Sequence, residues 1–232
     1  MKLVLSVQGT ASVKVSQDDV LPVQGLSQHE FTQFVGNLYG FEIRPNIPPN
    51  FPQQMVPPLW SFANGRFIDD NGDAYQILNL MAFQNGDAIT AANTEYADLI
   101  LNHYIEAIDS GLKFRYSTAK QERFYVSNIV VEFSVAIEQQ ISGIARILDI
   151  LNKQIPRPHM PFSAKRMAFG AGDPVNISFT TADAVARADF TIERRASEPY
   201  SSNRYFSSGP VRTADHIRIL EMIEDAIKDG AA

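Results

Sequence analysis

The sequence predicts an α+β fold: a mainly antiparallel sheet of about eight or nine strands, rich in hairpins, with about four helices packed on it. Three observations predict it. Short runs alternate apolar and polar residues with period 2, Asn-Gly dipeptides separate several of them, and helical periodicity is confined to four segments with no regular strand–helix alternation.

Along the chain, residues 2–7 and 12–15 predict two short strands, with Leu3, Leu5 and Val7 alternating and then Val13 and Val15. Ser27 and Glu30 form a capping box. The helix it opens carries Phe31, Phe34, Val35 and Leu38 on one face and stops at Gly40. Six prolines between residues 45 and 58 read as a stiff connector, and as the only plausible sub-boundary in what is otherwise one domain over residues 1–232. Asn64-Gly65, Asn71-Gly72 and Asn85-Gly86 mark hairpin turns, because type I′ turns need positive φ at both central residues.

From Thr94 the period becomes helical, with Ala97, Ile100, Leu101, Tyr104 and Ile108 on one face and Gly111 as the stop. Residues 123–133 predict a strand and residues 135–155 a helix ended by Pro156. Further strands are expected at 162–169, 175–180 and 187–195, the last with Ala188, Phe190 and Ile192 facing in. Residues 196–212 read as a long loop, and a final helix runs from Thr213 to Gly230. No internal repeat is found, and no low-complexity tract beyond the prolines.

Composition excludes several chemistries. There is no cysteine, so disulfides, thiolate nucleophiles and thiolate metal sites are ruled out, and the expectation is a cytoplasmic protein. No apolar stretch reaches membrane-spanning length. The net charge of −6 argues against a broad duplex-gripping face. No Walker loop or G-x-S-x-G elbow is present. His103 and Glu106 sit three apart but project away from the apolar face, as a solvated pair. Glu221, Glu224 and Asp225 read as acids on the outer face of the last helix. No metal or cofactor is expected.

Two features stand out. Residues 193–213 hold Arg194, Arg195, Arg204 and Arg212 among Tyr200, Tyr205 and Phe206, and run into a helix N-terminus. Arginine forks match phosphate or carboxylate bidentately, and aromatics stack on bases. The expected reading is nonetheless a loop packed on the sheet edge, its arginines paired with Glu193, Glu198 and Asp215, with anion binding as the alternative. The second feature is the seam Ile137, Ile141, Ile144, Leu148, Leu151 and Ile155, spaced 4-3-4-3-4. The expected reading is burial against the sheet and a neighbouring helix, with a helix-mediated dimer as the alternative. His216 falls within the apolar face of the last helix, either as a neutral core histidine or as a base beside the arginines.

The leading expectation is a non-catalytic interaction protein that self-associates or joins a larger complex. The alternative is a module binding an anionic ligand, a nucleotide or single-stranded nucleic acid, and the third is an enzyme using His216 and the arginines.

Overall fold

Strand β1 (Lys2–Lys14) lies at the centre of an eight-stranded sheet in which every pairing is antiparallel. The computed structural model describes residues 1–22, 27–45, 59–83, 85–155, 163–170, 189–195 and 198–229. The connector at 46–58, the expected strand at 175–180 and Gly230 lie outside the described residues.

The other elements follow in chain order. They are α1 (Gln17–Val20), α2 (Gln28–Leu38), β2 (Leu59–Ile68), β3 (Ala74–Phe83), β4 (Gly86–Ala91), α3 (Thr94–Leu112) and β5 (Glu122–Glu132). Then come α4 (Ile137–Gln140), α5 (Ser142–Gln154), β6 (Arg166–Phe169), β7 (Phe190–Arg194), β8 (Arg204–Gly209) and α6 (Thr213–Asp229). The strand order is β2-β3-β4-β1-β5-β8-β7-β6.

That order contains a duplication which the sequence did not disclose. Among the described residues, each half runs strand, single-turn helix, longer helix, three antiparallel strands, helix. β1 and β5 pair with each other at the centre, and each half fans outward from them. The register matches too: Gly9 stands opposite Ala91, and Ser127 opposite Gly209, at the same separation in both halves. Gly9 and Ser127 also face each other, so a local two-fold axis passes between them. Connector lengths differ between the halves, which is why no fixed sequence period survives. The relation persists as residue identities between α3 and α6. There, Thr94, Ile100, Leu101, Ala107 and Ile108 recur as Thr213, Ile219, Leu220, Ala226 and Ile227.

Two threonines fasten the helix starts across this axis. The Thr94 N–H donates to Thr213 Oγ1 at 3.1 Å, and the Thr213 N–H donates to Thr94 Oγ1 at 2.7 Å. Each helix thus satisfies one of the other's free N-terminal donors with a buried hydroxyl.

Several local expectations are corrected. The two short N-terminal strands are one strand, with irregularities between Leu3 and Leu5 and between Ser6 and Gln8. Asn64-Gly65 is no turn but an interruption inside β2. Asn64 adopts φ 57°, and the register with β3 continues unchanged on both sides. Phe62 and Phe67 are thereby both turned into the core, although an odd spacing would otherwise put them on opposite faces. Asn71-Gly72 does close a hairpin, with the Gly72 N–H donating to the Asp69 carbonyl. Gly111 does not end α3. A left-handed Lys113 does, while Gly111 leaves room for the Phe34 ring of α2.

The expected helix at 135–155 breaks at Ile141, whose ψ of 101° separates α4 from α5. Residues 204–209, read as loop, are strand β8. The final helix is rolled relative to expectation, so that Thr213, His216, Leu220 and Glu224 point inward.

The core has two centres under one sheet. In the first half Phe31, Val35, Ile100, Leu101 and Tyr104 meet Ala11, Val13, Phe62 and Leu80. In the second, Ile129, Val131, Phe133, Ile137, Ile192, Tyr205 and Leu220 pack together. No helix among the described residues is long and apolar enough to cross a membrane.

One buried charge sets a pH dependence. Asp87 of β4 is 2% exposed and accepts hydrogen bonds from the Tyr104 hydroxyl at 3.3 Å and from Tyr116. Burial pushes its carboxyl up to about 7, against the lowering effect of the two hydroxyls. Its folded form therefore holds a proton more tightly than the unfolded chain. This contribution is fully present below the unfolded value near 3.8 and is lost as pH rises towards 7. Wild type should lose stability relative to Asp87→Asn between pH 4 and pH 8, by on the order of a few kcal/mol. Urea unfolding of both proteins across that range measures it, and parallel pH curves would refute it.

Candidate functional site

The four arginines do not gather into one free basic patch. Arg194 ends β7 and is 8% exposed. Its Nε donates to Glu138 Oε1 at 2.9 Å, and its guanidinium lies 4.5 Å above the Tyr205 ring. The Tyr205 hydroxyl donates to Glu138 Oε2 at 2.6 Å and itself accepts the Ile137 N–H. Burial and this carboxylate push the phenol well above its ordinary range. Glu138 thus ties α4 to β7 and β8.

Arg195 pairs with Glu198 at 3.1 Å, and Arg204 bridges Glu198 and Glu132 at 3.1 and 3.0 Å. Arg212 lies elsewhere. It reaches Asp98 of α3 at 3.2 Å and covers the Tyr125 ring at 4.5 Å, beside the Arg123–Asp98 pair. Of Tyr200 only the backbone is described, in a single 3-10 turn.

A cleft of about 250 Å³ does open at the end of β7, lined by Lys165, Glu193, Arg194, Arg195, Glu198, Pro199 and Arg204. Four cations line it. Facing them are Glu193 and Glu198 in the wall, with Glu132 and Glu138 bound to its arginines, so the charges balance. The expected partners Glu193 and Asp215 are replaced by Glu138, Glu132 and Asp98. One signal could have found Glu138: the alternation of residues 187–195 turns Arg194 inward, and an inward arginine needs an inward acid.

His216 is fully buried. Its Nε2 is 2.9 Å from Ser207 Oγ, and the Phe190 ring stands edge-on at 5.1 Å. Burial holds its imidazole down at about 4, so at neutral pH it is an uncharged core residue with no face towards the arginine cleft. While Glu106 is exposed as expected, His103 is half-buried. Its Nδ1 lies 2.9 Å from the Tyr39 hydroxyl and its ring packs on Phe67. Glu224, expected on the outer face, is 1% exposed. It accepts the Ser134 N–H at 2.6 Å and meets the Met1 amine. Burial alone would raise its carboxyl, but these donors bring it down to about 2.

The seam residues divide. Ile137 is buried in the second core. Ile141, Ile144, Leu148 and Leu151 are half-buried. No residue of α5 is buried, and Ile147, Ile150 and Ile155 are 58%, 52% and 47% exposed, which corrects the expectation of burial against the sheet. Among the described residues, α5 is thus only partly covered along its apolar side, although helices in water mostly depend on a packing partner. Among the described residues no three histidine, aspartate or glutamate side chains converge as a metal site. No protein-family model matches the chain, and no curated protein matches it.

Proposed function

We propose that the protein is a non-catalytic assembly component that self-associates through α5. One observation carries this: α5 presents Ile144, Ile147, Leu148 and Leu151 along one side, yet buries none of its residues. Exposed apolar stripes of this kind mark protein interfaces. Anion binding has less support, because the cations of the arginine cleft already face carboxylates of the same chain.

Replacing Ile144 and Leu148 together by aspartate should leave the chain folded, since neither is buried. Light scattering should then report one chain per particle for the variant and more than one for wild type. Circular dichroism should give superimposable spectra. Insoluble or unfolded double mutant means that the stripe is core, and a monomeric wild type ends the proposal outright.

A further inference from the structure

α5 and α2 hold the same place in the two halves of the chain. Each follows a central strand and a single-turn helix, and each precedes a three-stranded meander. Their apolar spacing is the same: Phe31, Phe34, Val35 and Leu38 of α2 correspond to Ile144, Ile147, Leu148 and Leu151 of α5. This i, i+3, i+4, i+7 set is the stripe of a helix laid on a sheet.

Their surroundings differ. Phe31 and Val35 are buried, and the Phe31 ring lies 4.7 Å from Trp60 of β2. The surface that α2 covers also has an open counterpart. Ala63 aligns with Asn79 and Thr90 across the first meander, as Ala168 does with Thr191 and Ser208 across the second. Met167 therefore takes the place of Phe62. Phe62 is fully buried, Met167 is only half-buried, and Phe169 beyond it is 59% exposed. Among the described residues, the second half thus has a half-exposed helix stripe and a more exposed outer strand than the first, where α2 and β2 cover each other, although Ile192 of β7 is buried and Met167 packs against the second core.

Chain length on the N-terminal side of the helix also distinguishes the two halves. α1 ends at Val20 and α2 begins at Gln28, so residues 21–27 give α2 the slack to turn back. α4 ends at Gln140 and α5 begins at Ser142, with Ile141 alone between them. α4 is pinned by buried Ile137 and by Glu138 on Arg194 and Tyr205. On its N-terminal side α5 therefore lacks the slack that lets α2 turn back.

We infer that α5 of one copy lies on the β6–β7 surface of a second copy, whose own α5 returns the contact. The result is a closed two-fold exchange, in which each interface repeats between chains what α2 and β2 do within one. This rests on the self-association proposed above and specifies its occupant.

Complementation tests it. A donor-dead variant, Ile147→Asp, and an acceptor-dead variant, Phe169→Asp, change two exposed residues and should both fold. Each alone should run as a monomer at a concentration where wild type is fully dimeric. Mixed in equal amounts they should recover dimers, because the intact α5 of the Phe169→Asp chain meets the intact surface of the Ile147→Asp chain. If Phe169→Asp alone stays dimeric, or mixing restores nothing, the exchange is overturned while self-association through α5–α5 contact survives. If wild type is monomeric, both fall. Should either aspartate variant misfold by circular dichroism, the serine variants Ile147→Ser and Phe169→Ser carry the same test, read as a rise in the dimer dissociation constant of about tenfold or more.

Discussion

Glu138→Ala should destabilise the protein by about 3–5 kcal/mol, the usual cost of removing one partner from a buried ion pair. Arg194 is left inside with the carboxylate that faced it gone, and the Tyr205 hydroxyl loses its acceptor at the same time. The cost comes from desolvated charge rather than from the worth of the pair, so removing both charges should be milder. Glu138→Met combined with Arg194→Met should be closer to wild type than either single change. Urea midpoints of the four proteins decide the matter. A loss below about 1 kcal/mol for Glu138→Ala would place the pair with ordinary surface bridges.

Gly9→Ala should be at least as damaging. A Cβ there would stand 2.1 Å from the backbone nitrogen of Thr94 and 2.2 Å from the carbonyl carbon of Asn93, both main-chain atoms that no rotamer can move. The methyl would force apart the central strand and the start of α3, and with it the reciprocal Thr94–Thr213 caps. A loss of about 3 kcal/mol or more is expected, at the upper end for overpacking. Gly143→Ala is the control. Nothing lies within 4 Å of its added carbon, and inside α5 the change should be neutral or slightly stabilising. Equal thermal midpoints for the Gly9→Ala and wild-type proteins would contradict the close approach at the axis.

Much of the fold was legible because its elements advertise themselves locally. α2 and α3 show strong periodicity, and Ser27 accepts the Glu30 N–H at 3.3 Å, one half of the expected box. β8 was not legible. Arg-Tyr-Phe-Ser-Ser-Gly looks like a polar loop, yet its inward positions are Tyr205, Ser207 and Gly209. Ser207 fits there because its hydroxyl donates to the Thr191 carbonyl and meets His216, contacts fixed only by tertiary structure. The same holds for the arginines. Sequence marks them as a cluster, but whether they face a ligand or their own carboxylates depends on Glu132, Glu138 and Asp98, brought in from three other elements. The break at Ile141 is also tertiary in origin. Neither glycine nor proline occupies it, and the heptad-like spacing runs through it without a sign.

The central β1–β5 pair bears on how the chain folds. The hairpins of β2-β3-β4 need only short loops to close, whereas residues 170–189 separate β6 from β7 in the second meander. β1 has no such partner. It must find β4 on one side and β5 on the other, with Lys14 meeting Gly86 and Glu122. Loop-closure entropy for those contacts has to be met before they return any stabilisation, which sets a slow, late step. Until it is complete, each half presents a bare strand edge whose unpaired N–H and C=O groups will accept any extended chain. The join between the two halves is therefore the point at which folding competes with aggregation, and growth temperature and chain concentration act there first.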